Sequence, residues 1–296
     1  MAWNFGDILD TIIPVLPEGH LALVHGDREI TWAEMSRRSN NLGRFMLENG
    51  ATIGDKVGFY MRNRPEYMET LAACFRARLT HVNVNYRYVA DEVHYIFDNS
   101  DAAVVVYGKE FRDNVEILRP RLPNVKLWIE VGDGANLPAD TYDYENLATS
   151  GKGENLDVAR EGGDLLFLYT GGTTGMPKGV MWEHDALRET QTMALRALGD
   201  VPETLDELEA HLQTNGPGEV YIPACPLMHG TGLFTAMAAM MNGGTIVTLE
   251  AASLDSHELW RTVERRGVQN IAIVGDAFAK PMLAALEENA DAYDLS

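Results

Sequence analysis

LLFLYTGGTTGMPKGVMWEH, residues Leu165 to His184, is the stretch from which the rest of the chain is best read. Its apolar start, Leu165–Tyr169, has the pattern of a buried strand. The strand empties into Thr170-Gly171-Gly172-Thr173-Thr174-Gly175-Met176-Pro177-Lys178-Gly179. Three glycines within six residues let the backbone turn tightly and approach a ligand without Cβ obstruction. Successive N–H groups in such a turn can form an anion nest. Thr170, Thr173 and Thr174 add hydroxyl donors, and Lys178 adds a mobile cation. Together these supply what a polyphosphate needs. The loop is neither a Walker A loop, since Lys178 lies between Pro177 and Gly179, nor the dinucleotide Gly-x-Gly-x-x-Gly fingerprint. Composition alone also allows a flexible hairpin carrying a surface lysine.

Around this loop, short β-branched runs alternate with helical patterns. Thr31-Trp32-Ala33-Glu34 is a capping-box signature opening a helix to Glu48. Strands are expected at Val57–Met61, His81–Asn85, Ala103–Tyr107 and Lys126–Val131, with helices from Pro65 to Arg78, at Asp91–Phe97 and at Asp113–Leu118. Further on, helices are expected at His184–Leu198, Ser256–Arg266 and Ala277–Glu288, and strands at Val220–Ile222, Thr245–Leu249 and Ile271–Val274. Gly132–Gly163 reads as a connector and acidic Gly199–Gly218 as an exposed excursion. The pattern predicts an α/β fold of mostly parallel sheets flanked by helices. The 296 residues would form one large domain with subdomains 1–160 and 161–296.

The charge balance, 24 Lys plus Arg against 44 Asp plus Glu, gives −20. Such a chain is repelled by phosphate backbones and anionic membranes, which argues against nucleic acid as its partner. Two distant cysteines, Cys74 and Cys225, build neither a disulfide framework nor a zinc site. No metal-ligand set is apparent. The N-terminus lacks a basic n-region, so a cytoplasmic location is expected. The most apolar stretch, Leu227–Leu249, contains His229 and Asn242 and reads as a buried helix followed by a strand, not a membrane span.

YTGGTTGMPKG resembles the phosphate loop of the acyl-adenylate-forming (AMP-binding) enzymes: acyl-CoA synthetases, luciferases and peptide-synthetase adenylation domains. By position, the resemblance implies that Thr170, Gly171, Gly172, Thr173, Thr174, Gly175 and Lys178 hold the ATP phosphates, with Gly171 standing where many members have Ser. It extends over Ile30–Phe75, which is similar to the family's opening helix, Gly-Asp turn and Asn-x-Pro-Glu helix start. The family gives that region no catalytic role, and Arg78-Leu79 replaces a common small Ala-Gly pair.

Pro226-Leu227-Met228-His229-Gly230-Thr231-Gly232 taken alone suggests a structural histidine between a strand end and a helix of small residues. It also resembles the Pro-x-x-His-x-x-Gly run of acyl-CoA synthetases. That similarity implies that His229 and Gly230 lie by the carboxylate of the acid, with Val274 in the acyl channel. No Asp stands in the run to grip an amino group, which favours the fatty-acid–CoA ligase branch. Asp276 reads as a helix cap and Lys280 as solvated.

The resemblance implies activation of a carboxylic acid by Mg²⁺–ATP to an acyl adenylate, then transfer to coenzyme A. Lys178 and His229 are the residues expected to serve catalysis. The family's Tyr-Gly-x-Thr-Glu motif, ribose-binding Asp and C-terminal swinging domain are not found. Residues 1–296 are therefore expected to be the N-terminal portion of such an enzyme, with little ligase activity alone. A non-catalytic nucleotide-binding module, or an adenylation enzyme using a carrier-protein thiol, are the alternatives. A cut sheet edge could pair copies into a homodimer.

Overall fold

A computed structural model describes residues 3–171, 175–196, 199, 201–288 and 292–295. The first half runs α1 (Phe5–Ile12), β1 (Leu21–His25), β2 (Arg28–Thr31), α2 (Trp32–Glu48), β3 (Lys56–Tyr60), α3 (Pro65–Ala77) and β4 (Thr80–Asn83). It continues with α4 (Ala90–Asn99), β5 (Ala102–Gly108), α5 (Arg112–Leu118), β6 (Leu127–Val131), β7 (Thr141–Asp143) and α6 (Tyr144–Thr149). The second half holds β8 (Leu165–Thr170), β9 (Lys178–Glu183), α7 (His184–Arg196), α8 (Leu205–Asn215) and β10 (Val220–Pro223). It ends with α9 (Gly230–Met240), β11 (Thr245–Thr248), α10 (Ser256–Arg266), β12 (Asn270–Ala272) and α11 (Asp276–Glu288).

These strands form two sheets. One has seven strands in the order β7-β6-β5-β3-β4-β8-β9, the other five in the order β12-β10-β11-β1-β2. Every neighbouring pair is parallel except β8/β9 and β1/β2. The expected mostly parallel α/β architecture is what the chain adopts. The five-stranded sheet draws its strands from both ends of the chain, 21–31 and 220–272.

Burial follows the strand period of two. In β5, Val104 and Val106 enter one core, while Val105 and Tyr107 enter another with Val93, Ile96 and Phe97 of α4. Both faces are covered, as parallel strands require. All of α3 is buried, and its core also takes in Leu23 and Ile246 from the smaller sheet and Phe59 from the larger. One apolar core thus fastens the two sheets together.

Thr31 caps α2 by accepting from Glu34 N at 3.1 Å. Arg78 ends α3 in a left-handed conformation, φ 54°. Its guanidinium recovers part of that cost through Asp164, with Nη2 2.9 Å from the carboxylate.

Two expectations need correction, and one strand was not foreseen. The Gly132–Gly163 connector contains β7 and α6, whose Tyr144 and Ala148 are buried. The acidic Gly199–Gly218 excursion contains α8, capped by Thr204 and anchored by buried Leu208 and Leu212. Two apolar residues at i and i+4 suffice to dock an otherwise acidic helix. The chain after the glycine-rich loop first returns as β9, paired antiparallel with β8 from Leu165↔Glu183 to Thr170↔Lys178, before α7 begins.

Two buried histidines carry a pH prediction. His81 is fully buried, with Nε2 2.9 Å from Tyr67 Oη and Nδ1 3.2 Å from Phe167 O. His184 lies between the rings of Phe5 and Phe75, each centroid 4.9 Å away. Burial holds the first down to about 3 and the second down to about 4, against 6.5 in the open chain. Both stay neutral when folded, while the unfolded chain takes up protons below 6.5. Their stabilisation is complete above that pH and is lost as pH falls toward 4 and then 3. Each can contribute a slope of up to about 1.4 kcal/mol per pH unit. In an NMR titration from pH 7.5 to 5, both rings should keep their neutral shifts; a midpoint near 6.5 for either would refute this.

Candidate functional site

Parallel strands place their following turns on one side, and open α/β sheets bind ligands outside the carboxyl ends of their strands. A cleft of about 1090 Å³ lies there. It draws Arg62, Asn63 and Arg64 from the turn after β3, and Tyr86 and Arg87 from the turn after β4. Across it stand Pro223–Pro226, His229–Thr231 and the segment after β11, with Val274 and Phe278 at the start of α11. The sequence candidates His229, Gly230 and Val274 therefore meet in one cavity.

Side-chain amides from the larger sheet hold the segment that carries His229. Asn63 donates to Pro223 O and Cys225 O, both at 3.1 Å, and accepts from Leu227 N at 2.7 Å. Asn83 donates to Met228 O at 2.7 Å. Tyr67 Oη lies 3.3 Å from Leu227 O. His229 is then the N-cap position of α9. An ideal Cβ on Gly232 would overlap the Pro226 carbonyl oxygen and sit 3.0 Å from Cys225 O. That close approach gives the Pro-x-x-His-x-x-Gly spacing its physical sense: the helix packs against the backbone of its own entry loop.

Partial burial and the Arg87 charge, in that order, hold the His229 ring below its ordinary range. Arg62 and Arg87 lie over the Tyr86 ring at 5.3 and 5.9 Å. Arg64 pairs with Glu110 at 3.2 Å. Arg62, Arg64 and Arg87 share the cleft with Glu110 and Glu250 beside apolar walls, so the arginines can meet an anionic head while the walls take an apolar tail.

The glycine-rich loop leaves β8 at Thr170 and returns at Lys178, its cross-strand partner. Thr170, Gly171, Gly175 and Lys178 are all exposed, and Gly175 has φ 154°, which side-chain-bearing residues rarely adopt. Gly172, Thr173 and Thr174 lie outside the described residues. None of the described loop candidates lines the cleft itself. The two regions are neighbours, because a Cβ on Gly230 would lie 3.0 Å from Leu168 Cδ2 of β8. Exposed backbone donors with a lysine suit an anionic phosphate chain. Among the described residues, no group of three or more His, Cys, Asp or Glu is arranged to hold a metal ion.

The sequence reading missed Arg62, Asn63, Arg64, Tyr86 and Arg87 as cleft residues. A signal was present: Arg-Asn-Arg between a strand and a helix-opening proline. Asp276 proves to be the first residue of α11, pairing with Lys280 at 3.0 Å, both largely solvated. No described helix is long and apolar enough to cross a membrane.

Fold and cleft together define an α/β protein with its largest described opening at the strand carboxyl ends of the sheets. The AMP-binding enzyme family profile matches residues 15–296, and the chain belongs to that family. It is 36% identical over 304 residues to a 3-oxocholest-4-en-26-oate–CoA ligase of Rhodococcus rhodochrous, covering 100% of this chain and 54% of that protein. It is 35% identical over 304 residues to a medium/long-chain-fatty-acid–CoA/3-oxocholest-4-en-26-oate–CoA ligase of Mycobacterium marinum, again covering 100% of this chain and 54% of the relative. The chain spans about half the length of these curated relatives. Acetoacetyl-CoA synthetase from Streptomyces lividans shares the fold, with TM-score 0.80 and 21% identity over 99% of this chain and 46% of that one.

Proposed function

We propose that this chain is the N-terminal part of an AMP-forming acyl-CoA synthetase, contributing the ATP phosphate loop and much of the acid-binding cleft. The observation that carries the reading is the adjacency of the two regions: Leu168, two residues before Thr170, packs beside Gly230. A carboxylate held near His229 and a phosphate chain held by the loop would lie at neighbouring strand ends. A carboxylate oxygen attacks the α-phosphorus of ATP, the bond to the β-phosphate bridging oxygen breaks, and pyrophosphate leaves. A thiolate then attacks the acyl carbon and AMP departs, giving the thioester. Catalysis of such a transfer rests on positioning and on offsetting charge.

In this reading Thr170, Gly171, Gly172, Thr173, Thr174 and Gly175 cradle the phosphates, and Lys178 steadies the departing pyrophosphate. His229, Gly230 and Val274 line the acid site. Mg²⁺ accompanies the nucleotide, and coenzyme A is the acceptor. The cleft volume and its Val274 and Phe278 wall favour a medium or long fatty acid or a bulkier apolar carboxylate. The reading also places the protein in the cytoplasm, with acid, ATP and CoA as its partners.

Lys178→Ala should weaken Mg–ATP binding at least about tenfold, the size expected for losing one charge-assisted contact. Fatty-acid binding should stay within about threefold of the original. Calorimetric titration of both proteins checks this, and indistinguishable ATP affinities would remove the loop's assigned role.

A further inference from the structure

We propose that Asn83 is a positioning residue that couples the phosphate loop to the acid-side loop. This rests on the reading of those two loops given above. Asn83 is the last residue of β4 and is 3% exposed. The parallel ladder between β4 and β8 pairs His81↔Leu166 and Val82↔Phe167. Beyond that point the Asn83 side chain continues the pairing. Its Oδ1 accepts from Tyr169 N at 2.6 Å, and its Nδ2 donates to Tyr169 O at 3.0 Å. The same Nδ2 donates to Met228 O at 2.7 Å.

Tyr169 immediately precedes Thr170, and Met228 immediately precedes His229. One planar amide therefore touches the last residue before each candidate loop. An amide nitrogen has two N–H groups, and here each serves a different segment. A shift of β8's end tilts the amide and moves its bond to Met228, so neither loop can move independently. An Asp at this position would keep an acceptor for Tyr169 N but lose both donors. Gln would be one methylene too long, and Ala would leave the Tyr169 and Met228 groups without these partners in the interior. A residue that only braced the fold would need to serve one segment. Asn83 serves two, and both lead into the candidate site.

Hydrogen exchange on the chain, with and without Mg–ATP, tests the coupling. Without nucleotide, Asn83→Ala should speed exchange at least about tenfold in both 168–171 and 227–231. Asn83→Asp keeps the side-chain size but sets a buried carboxylate oxygen against the Tyr169 and Met228 carbonyls, so it should speed exchange in both segments at least as much as Asn83→Ala. In the original protein, Mg–ATP should slow exchange in the loop and also in 227–231. In both variants the slowing at the loop should persist and that at 227–231 should vanish. Loss of fold would instead deprotect β3 and β5 equally, and exchange in those two strands, read in the same experiment, separates it from loss of coupling. Persistent ATP-dependent slowing at 227–231 in the variants, or unchanged exchange without nucleotide, would overturn the coupling alone. If ATP slows neither segment in the original protein, the phosphate-loop reading itself fails and the coupling falls with it.

Discussion

Arg38→Ala will destabilise the domain by about 3–5 kcal/mol, the range for removing one partner of a buried ion pair. Arg38 lies on α2 with only 2% of its side chain exposed, opposite Glu69 of α3, which is fully buried. Its Nε reaches Glu69 Oε1 at 2.6 Å and its Nη2 reaches Glu69 Oε2 at 3.1 Å. The other edge of the guanidinium engages Glu145 through two contacts of 2.8 Å. Without the arginine, Glu69 retains the Tyr144 phenol at 3.0 Å and only the field of Arg28, whose guanidinium is paired with Glu66 instead. Burial already pushes the Glu69 carboxyl up, with Arg38 opposing the shift. Removing Arg38 raises it further, so the variant takes up a proton on folding. A carboxyl raised in the folded state contributes stability below its unfolded value and loses it as pH rises through the folded value. The penalty should therefore be smaller at pH 5 than at pH 8 when urea midpoints are compared. Arg38→Met combined with Glu69→Leu should recover most of the loss, because an apolar replacement removes the desolvation cost of both charges. A loss under about 1 kcal/mol with no pH dependence would show that water, not Arg38, satisfies Glu69.

How far the sequence foretold this architecture depends on how local each determinant is. Ser256–Arg266 was legible to the residue, because its apolar stripe, preceding Asp255 and following Gly267 are all nearest-neighbour signals. The strand Ala102–Gly108 was legible as Ala103–Tyr107, one residue short at each end, because a β-branched run buried on both faces needs no knowledge of its partners. β9 was not, since Lys178–Glu183 alternates weakly and becomes a strand only by pairing with β8. α8 was hidden by its charge, with two buried leucines outweighed in composition by acids. In the site, His229 could be singled out by its neighbours. Tyr86 and Arg87 could not, because their approach depends on β4 ending beside a segment about 140 residues further along the chain. Asn83 was invisible for the same reason: its two partners become adjacent only once β8 lies beside β4 and the β10–α9 segment lies over both.

Gly232→Ala should cost about 1–3 kcal/mol and weaken acid binding at least about tenfold. At an ordinary helical position, the same change would stabilise by about 0.4–1 kcal/mol through helix propensity and a less flexible unfolded chain. The sign reverses here because the new methyl would meet backbone. It would overlap Pro226 O and lie 2.8 Å from the Pro226 carbonyl carbon. A flexible side chain could swing away from such a contact, but Pro226 belongs to the segment pinned by Asn63 at Pro223, Cys225 and Leu227 and by Asn83 at Met228. The strain must then move α9 or the loop, and His229 sits at their junction. Gly230→Ala is the control for stability, since its methyl would press only on the end of the Leu168 side chain at 3.0 Å and touch the Phe234 ring at an ordinary 3.8 Å. That variant should stay within about 1 kcal/mol of the original, with the Leu168 rotamer absorbing the contact. Thermal midpoints of the two variants separate the cases, and fatty-acid titration compares Gly232→Ala with the original protein. Equal stability and equal acid affinity for Gly232→Ala would mean that the entry loop is soft and that His229 is not held by its backbone. The expected result would mean that the missing side chain at 232 and the two asparagine amides jointly fix where the histidine stands.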